Sequence, residues 1–351
     1  MRSELLHDFA PRLIAWHQHH GRNTLPWQVT DDAYRIWLSE IMLQQTRVET
    51  VMVYYLRFLE RFPDIATLAD APEEAVMAQW AGLGYYSRAR HLHAAARQIV
   101  ATQSGNFPTT FDTILQLPGI GRTTAAAIAA FAYGLPGAIL DGNVKRVLTR
   151  VFAIDGWPGE KLVEHRLWNL AEALLPDAGG IRAYTQGLMD LGATLCTRAR
   201  PRCPVCPFGD ACLAMKQGRQ GELPQARPKR ILPKRSTAML ILLHDADILL
   251  EKRPAPGIWG GLWSFPEFPA DADPAHAAAT LGFNADEIRK QPALLHTFTH
   301  FQLHIQPWLL PVKRTLIAAE PERIWLPLVD SEGAALPSPV KQIIRALSNV
   351  A

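Results

Sequence analysis

The chain has 351 residues, 48% of them apolar, and its 36 basic and 33 acidic side chains leave a formal charge of +3. That length suggests two or three domains, and that apolar content is ample for packed cores. A charge so near balance points only weakly to nucleic acid, and no stretch approaches the ~20 apolar residues of a membrane span.

The first segment, "MRSELLHDFAPRLIAWH", carries Arg2, Glu4 and Asp8 and has no uninterrupted apolar run. It does not read as a signal peptide, so a cytoplasmic protein with reduced thiols is expected. Trp37, Ile41, Val48, Tyr55, Leu59 and Phe62 then recur near a 3.6-residue period. This predicts one amphipathic helix, capped at Asp31 or Asp32 and ending before Pro63. Glu40 follows Ile36 by four residues and Trp37 by three, and precedes Leu43 by three. Its carboxyl therefore lies on or beside the apolar face, where burial favours the protonated form. A lone glutamate more often reaches from such an edge to solvent.

"DAPEEAVMAQWAGLG" and "YSRARHLHAAARQIVATQSG" read as further helices, each closed near a glycine. Next comes "LPGIGRTTAAAIAAFAYG", with Gly119 and Gly121 two apart and an alanine-rich helix behind them. Glycines at such a turn let backbone N–H groups approach a phosphate at a helix N-terminus. The whole segment predicts a helix-hairpin-helix, a device that positions DNA without reading its sequence. In "ILDGNVKRVLTRV", Val144, Val147, Leu148 and Val151 mark another amphipathic helix with Asp141 just before it. Asp141 suits an N-cap, and a helix N-terminus favours its ionised form. One carboxyl kept neutral and one kept ionised is the division of labour of acid-assisted glycosidic cleavage.

All four cysteines, Cys196, Cys203, Cys206 and Cys212, fall within 17 residues. Four unrelated core thiols rarely gather so closely. Tetrahedral zinc and an iron–sulfur cluster both accept four thiolates. One tight pair flanked by loose outer spacings favours the cluster over the paired knuckles of zinc sites. Between the ligands lie Arg198, Arg200 and Arg202 against one acid, Asp210. A rigid basic loop suits a phosphate backbone, though arginines also serve as a solvated face.

"LPQARPKRILPKRS" holds three prolines, five basic residues and no acid, and reads as an extended linker. Beyond it the period becomes two. "TAMLILLHDADILLEKR" predicts two short strands around a turn, Phe301, Leu303 and Ile305 alternate with polar residues, and "SPVKQIIRALSNV" predicts a closing helix. The expected organisation is a helical domain over 1–222, a linker over 223–236 and a smaller α+β domain over 237–351.

"WLSEIMLQQTRVETV", "GLGYYSRARHLH", the hairpin, "LDGNVKRV" and the cysteine loop together resemble a bacterial MutY-type adenine DNA glycosylase, and "HTFTHFQL" extends the likeness into the second domain. The resemblance implies a mainly α, two-lobed helix-hairpin-helix glycosylase with a 4Fe–4S cluster on the four cysteines, followed by a Nudix-like domain. The implied substrate is double-stranded DNA with adenine opposite 8-oxoguanine or guanine, handled by a monomer without a membrane. Glu40 matches the general acid and later base. Asp141 matches the carboxylate that stabilises the oxocarbenium-like sugar, with Asn143 supporting it. Arg22, Trp27, Gln45, Thr46, Leu83 and Gln186 match positions around the flipped adenine and the DNA, and Tyr85 an aromatic wedged into the stack. Gly119 and Gly121 match the hairpin. Phe298, Thr299 and His300 match the contacts to 8-oxoguanine, with Thr where the bacterial family typically has Ser.

Thr123 stands where the strand-cleaving endonuclease III branch has a Schiff-base lysine. A hydroxyl forms no imine, so water is the expected nucleophile. Two other classes fit the sequence less well. A Nudix-type nucleotide hydrolase needs a glutamate-rich, magnesium-holding helix, but after "PGIWGGLWSFPEF" the chain reads "PADADPAHAAATLGF". A non-catalytic DNA-binding protein would leave Glu40 and Asp141 without a role.

Overall fold

The structure, a computed structural model, describes residues 2–177, 179–228, 231–254, 257–284, 287–313 and 322–348. The chain divides into two compact units, residues 1–229 and 230–351, and the division falls within the proline-rich basic segment.

The first unit is helical. Its elements are α1 (Arg2–His20), α2 (Ala33–Leu43), α3 (Val48–Arg61), α4 (Ile65–Asp70), α5 (Glu73–Trp80), α6 (Ser87–Gln103), α7 (Phe111–Leu115), α8 (Arg122–Tyr133), α9 (Gly142–Val151), α10 (Lys161–Ala173), α11 (Ile181–Asp190) and α12 (Leu213–Lys216). Trp37, Phe58, Phe62 and Trp80 are fully buried between α2, α3 and α5. Each contributes roughly 2–3 kcal/mol by leaving water. Ala125, Ala126, Ala127, Ala129 and Ala130 of α8 are likewise buried. Their small side chains let α2, α7 and α11 approach α8 closely.

The single helix expected up to Phe62 is instead two. The Asp32 cap is present, its carboxylate accepting from Tyr34 and Arg35 N–H at 2.8 and 3.3 Å. The break comes at Gln45, whose φ of +59° lies in the left-handed region. In a continued helix the carbonyls of Ile41, Met42 and Gln44 would accept from the N–H groups four residues on. Here the Arg88 guanidinium takes all three, at 2.8, 2.9 and 2.6 Å. A side chain 44 residues away thus replaces the helical bonds.

The second unit is one mixed sheet with strands β1 (Lys234–His244), β2 (Asp247–Lys252), β3 (Trp263–Ser264), β4 (Glu267–Phe268), β5 (Arg289–Lys290), β6 (Leu294–Thr297), β7 (Gln302–Pro311) and β8 (Arg323–Pro327). The order is β3-β2-β1-β7-β5, with β1 and β7 parallel and β6 antiparallel to β7. β1 begins at Lys234 and runs 11 residues, longer than the short strand expected, because its parallel register with β7 is continuous from Lys234 to Leu243. Phe301, Leu303 and Ile305 face inward as the alternation requires. α13 (Pro274–Thr280) carries no carboxylate in "PAHAAAT", and α14 (Ser338–Ser348) closes the chain's described part.

Candidate active site

A cleft of about 380 Å³ opens in the helical unit, lined among others by Arg22, Trp27, Ile36, Glu40, Phe131 and Gln186. α2 supplies Glu40, α11 supplies Gln186, and the segment after α1 supplies Arg22 and Trp27. Trp27 is fixed edge-on against Tyr55 at 5.2 Å. The polar wall is organised by a residue that sequence reasoning missed, Asp190, only 1% exposed at the end of α11. Its Oδ1 accepts from Arg22 Nε at 2.8 Å and Nη2 at 2.6 Å, and from Gln186 Nε2 at 3.0 Å. Its Oδ2 accepts the Arg22 backbone N–H at 2.8 Å. The available signal was a carboxylate four residues after Gln186, one helical turn further along the same face.

Glu40 keeps partial exposure and lines the cleft. Its carboxyl is pushed up to about 8, first by burial and then by the negative charge of Asp141. That second cause places the two carboxyls within electrostatic reach. Asp141 caps α9 and accepts the Val144 N–H at 2.8 Å. Its Leu140 neighbour donates its N–H to Thr123 Oγ1 at 3.1 Å, which docks the segment onto α8. The cap is as expected, but its electrostatic consequence is not. Burial is the largest influence on Asp141 and pushes its carboxyl up, against N–H bonds from Val144 and Asn143 and the charges of Arg146 and Lys145, which pull it down. Glu40 has no such opposing help. The negative charge of Asp141 adds to burial in holding the proton on Glu40. Asn143 is the second residue of α9, its Oδ1 accepting from Arg146 Nη2 at 2.8 Å.

Comparisons with known proteins identify the family. Residues 38–173 match the family of HhH-GPD superfamily base excision DNA repair proteins, and residues 237–346 match the NUDIX domain. The chain is 37% identical over 341 residues to the adenine DNA glycosylase of Buchnera aphidicola subsp. Baizongia pistaciae, covering 96% of this chain and 95% of that protein. The chain belongs to the adenine DNA glycosylase family. A second Buchnera aphidicola adenine DNA glycosylase, from subsp. Acyrthosiphon pisum, is 35% identical with 96% of each chain covered. Among solved structures, a thermostable thymine-DNA glycosylase superposes with a TM-score of 0.56 at 28% identity, over 62% of this chain and 99% of that one. The enzyme is thus a base excision repair glycosylase, a hydrolase of N-glycosyl bonds acting on DNA.

Other residues of interest to an adenine DNA glycosylase lie outside the cleft wall. Gly119 has φ +77°, and a Cβ there would meet His91 Cβ at 2.6 Å, so the hairpin turn requires glycine. A Cβ on Gly121 would meet nothing within 4 Å, and no side chain caps α8 behind it. Gln45 and Tyr85 are exposed, and Tyr85 also has a positive φ, +48°. Thr46 receives a bond from Arg88 Nη2 at 3.2 Å. Leu83 is 6% exposed and packs inward.

The cysteine loop follows α11 through a π-helical turn, Leu191–Leu195, closed by the Cys196 N–H on Leu191 O at 2.7 Å. Phe208 anchors the loop by stacking on Phe9 of α1 at 4.5 Å. The four thiols surround a small void whose other walls include Val147, Leu191, Leu195 and Met215. Burial pushes the Cys206 thiol up to about 12 and the Cys212 thiol up as well, so a cation is needed to keep them as thiolates. Arg150 Nη1 lies 3.4 Å from Cys196 Sγ. Among the described residues no group of three or more His, Cys, Asp or Glu is set to close on one metal ion. Four thiols around one void are the donor set of a four-thiolate metal centre. Arg198, Arg200 and Arg202 are exposed on the loop, and its acid, Asp210, is paired with Arg12 of α1 at 2.9 Å.

In the second unit Phe298–Phe301 forms the tight turn between β6 and β7, closed by Phe298 N–H on Phe301 O at 2.9 Å. Phe298 is held by Phe301 at 4.5 Å and Trp259 at 5.5 Å, while Thr299 and His300 are exposed. No described helix is long and apolar enough to cross a membrane.

Proposed function

We propose that this glycosylase removes adenine mispaired with 8-oxoguanine, and also with guanine, by hydrolysis without strand cleavage. The observation that carries the chemistry is Glu40 on the wall of the cleft, its carboxyl pushed up to about 8 by burial and then by the negative charge of Asp141. A protonated Glu40 donates to the departing adenine, then as carboxylate takes a proton from the attacking water. Asp141, as a carboxylate, opposes the positive charge that develops on the sugar. Asn143, braced by Arg146, fixes the start of α9 under that sugar. Arg22, Trp27 and Gln186 receive the flipped base, two of them oriented by Asp190. Gln45 and Tyr85 enter the stack that the base has left, and Thr46 and Leu83 support their loops. Thr123, a hydroxyl, leaves water as the final nucleophile.

Cys196, Cys203, Cys206 and Cys212 would hold a 4Fe–4S cluster, which supplies rigid shape to the basic loop rather than a redox step. Arg198, Arg200 and Arg202 then meet phosphates with no internal acid left to neutralise them. Phe298, Thr299 and His300 are the contacts proposed for 8-oxoguanine. Their support is the exposed pair at a turn whose aromatic is firmly packed. The enzyme acts as a monomer. Glu40→Gln tests the reading directly. It should bind mispaired duplex like the parent and lose single-turnover adenine release. Release at the parental rate would defeat the assignment.

A further inference from the structure

Arg88 is 8% exposed near the start of α6, yet no carboxylate pairs with it among the described residues. Its guanidinium spends itself on neutral oxygens. Nη1 donates to the carbonyls of Ile41, Met42 and Gln44 at 2.8, 2.9 and 2.6 Å. Nη2 donates to Thr46 Oγ1 at 3.2 Å and to the carbonyls of Leu83 and Gly84 at 3.3 and 3.2 Å. One planar group therefore joins residues 41–46 to residues 83–84. Capping α2 alone would need only the first set.

The two segments share a second property. Gln45 and Tyr85 are non-glycine residues with φ of +59° and +48°. Each costs on the order of 1 kcal/mol or more, and such strain persists only where surroundings over-determine it. Both side chains are exposed, and the Arg88 guanidinium lies 5.6 Å from the centre of the Tyr85 ring. A lysine, with donors radiating from one point, spans no such pair of segments.

We infer that Arg88 is a positioning residue that staples the 44–46 loop to the 83–85 loop, so that Gln45 and Tyr85 are presented to DNA as one wedge. This rests on the proposed entry of those two side chains into the base stack. The staple couples them: a change on one loop is felt by the other through a shared cation.

The test uses the full-length protein and a duplex with 2-aminopurine beside the mispaired adenine, whose fluorescence rises when the stack opens. Gln45→Ala and Tyr85→Ala should each lower that rise. Arg88→Lys should lower it too and slow single-turnover release by on the order of 10- to 100-fold, the scale set by misplacing a positioning element. Affinity for undamaged duplex should stay within about twofold, since phosphate contacts dominate it. The loss in Arg88→Lys with Gln45→Ala should be smaller than the product of the single losses, because the staple already disorders the loop. Thr46→Val removes one bond from the loop side and should cost about fivefold. Should Arg88→Lys not fold, Thr46→Val carries the test, and a parental signal in it would overturn the staple. Parental stack opening in a folded Arg88→Lys, with Gln45→Ala and Tyr85→Ala impaired, would also overturn it, as would fully multiplicative losses. If neither Gln45→Ala nor Tyr85→Ala matters, the wedge reading itself is wrong and the staple falls with it.

Discussion

Glu40→Gln should make the enzyme more stable as well as inactive, by an amount that depends on pH. The carboxyl has an ordinary value of 4.5 and is raised to about 8 in the folded protein, by burial first and Asp141 second. Between those values the folded chain holds a proton that the unfolded chain has released. Stability from this group is therefore complete below pH 4.5 and is lost as pH rises through 8. Over pH 5 to 8 the loss amounts to about 3 kcal/mol, at 1.36 kcal/mol per pH unit. Glutamine cannot titrate and escapes it. Urea unfolding followed by helical ellipticity, which reports mainly the first unit, should show the parent losing about 3 kcal/mol more than Glu40→Gln across that range. Parallel pH profiles for the two proteins would refute the buried, protonated glutamic acid. Such a gain on deleting the proposed general acid is the stability–activity trade-off expected of a buried ionisable group.

Thr123→Lys should lose the bond from Leu140 N–H, at about 1 kcal/mol of stability, and should gain a borohydride-trappable adduct beyond that of the parent. Lys145 does not replace it, being paired with Glu164 at 2.5 Å. Truncation near Pro228 should leave a folded glycosylase that releases adenine opposite guanine but loses much of its preference for 8-oxoguanine, and Phe298→Ala with Thr299→Ala should do the same in the full chain; equal 8-oxoguanine-to-guanine affinity ratios at one salt concentration would contradict this. Arg200→Ala should weaken DNA binding irrespective of sequence and lower the salt slope by about one contact. The purified protein should be yellow-brown and contain iron, and stoichiometric zinc without iron after anaerobic purification would end the cluster assignment.

What was legible in the sequence was local. Glu40 on an apolar helical face, Asp141 at a helix start and Gly119 in a turn all follow from periodicity and backbone chemistry within a few residues. What was not legible depended on groups remote in the chain. The break after α2 looks like continuous helix until Arg88 removes the carbonyls it needs. Asp190 reads as an ordinary helical residue until Arg22, 168 positions earlier, closes on it. Asp141 reads as a stabilised anion because a cap is a local feature, whereas the burial that outweighs it is set by tertiary packing. β1 was underestimated because its length comes from a partner strand rather than from its own alternation.

The central claim, hydrolytic excision of adenine opposite 8-oxoguanine through Glu40, is tested most directly by incubating an end-labelled adenine:8-oxoguanine duplex with parent and Glu40→Gln, each divided between alkaline and neutral work-up. The account requires a break at the adenine only after alkali, and only with the parent. A break without alkali, or an alkali-labile product of equal yield from Glu40→Gln, would contradict it.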